Sequence, residues 1–153
     1  MKNKDITRKN ASSPLRRALL SAPAEYAAVF LTGALIYLGM ELLFRGYSHI
    51  TMFFAGGLCF ALIYAFEKRI GRVRLFYRCF IYACIITAVE FAFGVIFNLI
   101  LHLDVWDYSD RAFNLLGQVC PLFFLLWILV ALPAIALARR IHRAIEAARG
   151  QIA

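Results

Sequence analysis

Glu90 stands in the middle of the apolar run ACIITAVEFAFGVIFNLIL, with no charged residue three or four positions away. An ionised carboxylate at such a depth costs about 3 kcal/mol or more unless it is paired or hydrated. Thr87, Glu90, Gly94, Asn98 and His102 follow one another at spacings of three, four, four and four. On a regular helix that places them within an arc of roughly 120°, a polar stripe rising from mid-run toward the next connector. A second carboxylate, Glu41, lies four residues before Arg45, and Gly33 and Tyr37 continue its row. The stripe is either interhelical glue or the lining of a hydrated cavity, and in a cavity two acids on different apolar runs would favour a cation or a proton over an anion.

The stripe leads to an unusual connector. HLDVWDYSDRAFNLLGQ, residues 102–118, holds Asp104, Asp107 and Asp110, and FRGYSHIT, residues 44–51, holds Arg45, Ser48 and His49. The three acids are expected to face Arg45 and His49. Ser109 and Asp110 are good N-cap types, so a helix is expected to open near Arg111, with Asn114 on its early turns and Pro121 kinking it later. Trp106 and Tyr108 suit anchoring at a membrane interface.

Stepping out to the elements that carry these groups, the 153-residue chain is 63% hydrophobic and 15% aromatic, with a mean hydropathy of +0.73. That is too apolar for a water-soluble domain. Four runs, at about 24–44, 50–66, 75–103 and 115–138, each approach the ~20 residues that cross a bilayer as a helix. The expected fold is therefore all-α, a bundle of four transmembrane helices over 22–138, because lipid leaves no unpaired backbone group satisfied. A basic tail, 1–21, precedes it. Residues 139–153, with Ile141 and Ile145 opposite arginines, predict a short amphipathic helix on the membrane surface.

Charge sets the expected orientation. Of the 17 Lys and Arg residues, all but Arg45 and Arg111 fall on one side of this arrangement, if Arg78 snorkels back to it. Both termini are thus expected in the cytoplasm, with the two tails lying on anionic inner-leaflet lipid. The net charge of +8 flanks apolar runs and forms no basic stripe with exposed aromatics, so nucleic acid is not an expected partner.

Catalysis has little to rest on. The three histidines are scattered and there is no phosphate-binding glycine loop or nucleophile motif, so neither an enzyme, a resident metal nor a cofactor is expected. The weaker alternative is a hard divalent cation held by the connector acids with His49 and His102. All four cysteines fall inside apolar runs, where they act as small apolar residues.

WDYSDRAFNLLGQVC, with MELLFRGYSHITMFFAGGLCF and the Glu90 run, resembles a family of small membrane proteins, ABC-transporter permeases of the CmpB type, over most of residues 40–130. The matching positions include Glu41, Arg45, Ser48, His49, Glu90, Trp106, Asp107, Tyr108, Ser109 and Asn114. The resemblance implies a polytopic membrane protein in a transport role, with a separate ATPase subunit. It supplies no substrate. Four spans enclose a solute path poorly, so a homodimer or a partner membrane subunit is expected. The competing expectation is a membrane scaffold or sensor whose polar cluster only fixes helix register.

Overall fold

A computed structural model describes residues 21–150, and the basic tail expected at the N-terminus lies almost wholly outside them. The described residues are helical apart from their connectors. Four helices are long and apolar enough to cross a membrane: α1, Ala22–Arg45; α2, Ile50–Ile70; α3, Leu75–Ile100; and α4, Pro121–Gly150. The all-α bundle expected from the four apolar runs is what the chain forms.

Local chemistry sets the ends. α1 stops at Gly46, whose φ of +74° returns its N–H to the Leu42 carbonyl, a left-handed cap that costs glycine little. α2 opens at His49, whose Nδ1 accepts from the Thr51 backbone N–H at 3.3 Å. α3 ends in a π-helical segment, Gly94–Ile100, and α4 opens on Pro121, where a missing N–H is harmless.

Several expected boundaries move. The fourth helix begins at Pro121 rather than near residue 115, because Ser109 and Asp110 cap nothing and residues 101–120 fold back on themselves. Pro121 therefore starts a helix instead of kinking one. The second span runs on to Ile70, the third stops at Ile100 short of residue 103, and the C-terminal basic segment is the unbroken end of α4. At 30 residues α4 is about 45 Å long, half again the hydrocarbon thickness, so one end must project.

Packing is uneven around the bundle. α2, α3 and α4 share a core in which Cys59, Ile63, Tyr82, Ile86, Trp127 and Ile135 interlock. α1 lies along α2 through a glycine crossing: a Cβ on Gly56 would stand 2.3 Å from Tyr37 Cβ, and one on Gly33 2.8 Å from the Gly56 carbonyl oxygen. Only bare backbones fit so closely. α1 meets α4 chiefly at the end bearing the basic residues, where Val29 and Ala138 share a small core and Arg149 Nη2 reaches Glu25 Oε2 at 2.6 Å. Toward the other end, which carries the connector, a cleft separates the two helices.

The glycine crossing makes a clear prediction. Gly56→Ala should lower stability by about 1–3 kcal/mol through overpacking. Gly39→Ala, on the same helix pair but with nothing within 4 Å of the added methyl, should be neutral or stabilising by up to about 1 kcal/mol. Thermal unfolding of the two variants in detergent checks both, and equal shifts would contradict the crossing.

Candidate functional site

The 101–120 connector is a folded object in its own right. Asp107 Oδ1 accepts from the Ser109 backbone N–H at 2.8 Å and from Ser109 Oγ at 2.6 Å, bonds that hold this carboxyl below the usual carboxylate range. Asn114 Nδ2 donates to the Ser109 and Arg111 carbonyls, and its Oδ1 accepts from Gly117 N at 2.9 Å. Four non-glycine residues here, His102, Asp104, Phe113 and Leu116, have positive φ, a strained state held by these bonds. The polar density of the segment is thus largely its own scaffolding.

Asn98 fastens this object to α3. Its Nδ2 donates to the Trp106 carbonyl at 2.9 Å and to Gln118 Oε1 at 2.8 Å, while its Oδ1 accepts from Val105 N at 2.7 Å. Trp106 Nε1 donates to the Gln118 carbonyl at 3.0 Å. Gln118, buried and central to this network, is a residue that sequence reasoning missed.

Arg45 ties α1 to the same connector. Its Nη2 donates to the Val105 carbonyl at 2.9 Å and to Tyr47 Oη at 3.0 Å, and its Nη1 pairs with Glu41 Oε1 at 3.1 Å. The Ser48 hydroxyl donates to the other oxygen of Glu41. The expected meeting of the three aspartates with Arg45 and His49 does not occur in these bonds: His49 turns to Thr51, and Asp110 pairs with its neighbour Arg111 at 3.4 Å. Among the described residues no three His, Cys, Asp or Glu side chains converge as a metal site.

Glu90 is 5% exposed. Its Oε2 accepts from Trp127 Nε1 at 2.8 Å and its Oε1 from Tyr108 Oη at 3.2 Å. Tyr108 in turn stacks on Phe123, with ring centroids 4.3 Å apart. Both partners are neutral donors, so the carboxyl joins α3, α4 and the connector without a counter-ion. The expected stripe holds from Glu90 through Gly94 to Asn98 and ends there. Glu90 meets Tyr108 and Trp127, a Cβ on Gly94 would stand 2.5 Å from Gln118 Oε1, and Asn98 donates to that same oxygen, whereas His102 has left the helix and is exposed.

A cavity of about 680 Å³ occupies the cleft between α1 and α4. α1 contributes Tyr37, Met40, Glu41, Phe44 and Arg45; α4 contributes Phe123, Leu126, Trp127 and Val130. The connector closes it with Trp106, Asp107, Tyr108, Asp110 and Arg111. Glu41, Arg45, Trp106, Asp107 and Tyr108 are therefore brought together, Glu90 sits directly behind the Tyr108 and Trp127 wall, and Ser48 supports Glu41. Ser109, Asn114, Asn98 and His49 serve the connector and a helix cap. A second cavity of about 180 Å³ continues past Tyr37 and Trp127 to Gly33, Pro133 and Leu137.

The opposite end holds two buried acids not expected as site residues. Glu67 binds Arg78, Arg139 Nε at 2.6 Å and Tyr82 Oη at 2.7 Å. Glu25 binds Lys68 Nζ at 2.9 Å and Tyr64 Oη at 2.5 Å as well as Arg149. Arg78 is consequently buried against Glu67, at the end that carries the other basic residues. For Glu67 a lone acid beside Lys68, Arg69, Arg72 and Arg74 was the available signal; Glu25 has no basic neighbour in sequence.

A family model described as "Putative ABC-transporter type IV" matches residues 28–152, most of the chain. The chain belongs to this family. Membership in an ABC-transporter family agrees with four helices long and apolar enough to cross a membrane, so this is a membrane protein. Neither a curated protein nor a solved structure matches it. Within this family member the cleft, rather than the stripe on α3, is the feature with room for a ligand.

Proposed function

We propose that the chain is the membrane subunit of an ABC-type permease in the cell membrane, with the connector end outside and both termini cytoplasmic. It moves a cation, a proton or a small polar solute, working as a homodimer or with a partner membrane subunit and a separate ATPase. The observation that carries this reading is the 680 Å³ cavity, which is lined at the connector end by Glu41, Arg45, Asp107 and Asp110 and narrows where α1 and α4 meet. A volume of that order suits a small organic solute better than a bare ion.

The charge distribution supports the orientation. Lys68, Arg69, Arg72 and Arg74 share one end with Arg139, Arg140, Arg143 and Arg149, whereas the connector end has Arg45 and Arg111. That basic end would rest on anionic lipid, and with α2 continuing to Ile70 the described residues there offer an ATPase the short loop 71–74 and the projecting end of α4.

Reconstitution tests the transport role. Proteoliposomes are expected to pass protons, monovalent cations or small cationic solutes faster than empty liposomes, and equal leak in the presence of the ATPase subunit would remove it. For orientation, Asp110→Cys should react with an impermeant maleimide on intact cells, and Arg140→Cys only after permeabilisation. The second reading, a non-transporting scaffold or sensor, is favoured by the fully engaged Asn98, Gln118 and Trp106 network. It predicts no flux of any kind.

A further inference from the structure

The composition of the cavity wall is more specific than its volume. Six of its fourteen lining residues are aromatic: Tyr37, Phe44, Trp106, Tyr108, Phe123 and Trp127. They come from α1, the connector and α4 and converge on one space. A belt of interfacial aromatics would instead point outward to the headgroups.

The charges at the mouth are asymmetric. Both arginines are already committed, Arg45 to Glu41 and Arg111 to Asp110. Asp107 is the acid left over, bound only by Ser109 on its Oδ1. The rim therefore has an excess of one negative charge; Arg45 is fully engaged, and Arg111 is held only by an exposed 3.4 Å pair with Asp110.

Behind the wall, Glu90 accepts hydrogen bonds from the Trp127 N–H and the Tyr108 O–H. An acceptor at those edges leaves the ring faces richer in electrons, and it is the negative face that attracts a cation. The narrower second cavity, lined by residues such as Ile36, Phe60 and Leu137, offers only apolar contact.

We propose that the cleft between α1 and α4 is a binding site for a lipophilic organic cation, such as a quaternary ammonium or phosphonium bearing apolar groups. The charged centre lies among the aromatic rings near Asp107 and the apolar groups extend toward Pro133. As the identity of the transported substrate this rests on the transport reading above; as a binding site it stands alone.

The chain has two tryptophans, and both line the cavity, so intrinsic emission reports on it without a label. The experiment titrates the full-length protein in lipid nanodiscs with tetraphenylphosphonium and with its anionic isostere tetraphenylborate, subtracting the response of empty discs. The expected result is saturable change with the cation and none with the anion. Phe44→Leu keeps the apolar surface but removes a ring from an 87% exposed position, so folding is unaffected and the apparent Kd should rise about three- to tenfold. Asp107→Asn retains the oxygen that Ser109 needs and should also weaken binding, by about threefold.

Saturation by the borate equal to that by the phosphonium, or an affinity indifferent to both substitutions, overturns the inference. Flux assays on the same protein separate the two readings. Transport of another solute with no phosphonium binding defeats the cation site alone, whereas saturable binding without any flux sustains the site and defeats transport.

Discussion

Glu67→Ala is expected to destabilise the protein by about 3–5 kcal/mol, since it leaves a buried guanidinium without its counter-charge. The carboxylate receives Arg78, Arg139 and the Tyr82 hydroxyl at once. Arg139 is half-exposed and can turn to water, but Arg78 is buried, and its Nε has no hydrogen-bond partner even now. The loss therefore falls on Arg78. A double variant, Glu67→Leu with Arg78→Leu, should recover most of the stability, because replacing both members of a buried pair by apolar groups removes the desolvation cost as well as the attraction. Thermal unfolding in a mild detergent measures both. A single variant as stable as the parent would show that the pair is solvated.

Glu90→Leu should cost about 2–6 kcal/mol, the sum of a buried donor, the Trp127 N–H, and a part-buried one, the Tyr108 O–H, each worth about 1–3 kcal/mol when left unpaired. Glu90→Gln keeps one acceptor oxygen but turns an amide donor toward the other ring, and about half that cost is expected. The pair of variants separates position from charge. If Glu90 only holds the two rings in place, flux and organic-cation affinity will follow the melting temperature through the series. If its carboxylate takes part in transport, the Gln variant will lose flux while its fold and its Trp127 contact persist. Normal flux, folding and assembly in Glu90→Gln would remove the functional case for this acid.

The helices were legible because the physics allows so little else: an apolar run of twenty residues has to satisfy its own backbone. The starts at Ile50 and Leu75 and the stop near Arg45 were legible too, but the ends that border the 101–120 connector were not, where tertiary bonds override local signals. Ser109 and Asp110 look like a helix start, yet Ser109 is consumed by Asp107, and Asn114 closes the turn instead of riding on a helix. The stripe on α3 was shortened for a related reason. The π-helical segment from Gly94 keeps Asn98 on the side of the connector, but the helix stops at Ile100 and leaves His102 outside it.

The cavity was harder still. Met40, Phe44, Leu126 and Val130 are the types any lipid-facing helix displays, and nothing in their spacing announces that α1 and α4 diverge. Only Glu41 and Arg45, paired at helical spacing, marked the place. The buried acids at the other end, Glu25 and Glu67, had no role in the sequence reading, because the partners that engage them, Arg149 and Arg78, are brought to them only by the fold.

α1 is clipped at both extremities and rests on a pivot. Arg45 holds one extremity to the Val105 carbonyl, Arg149 holds the other through Glu25, and the Gly33 and Gly56 contact lies between. A stiff rod so mounted is a lever about 36 Å long. A push delivered to the end of α4 that carries Arg149 would be felt at Arg45, and releasing one clip would shift the load to the other.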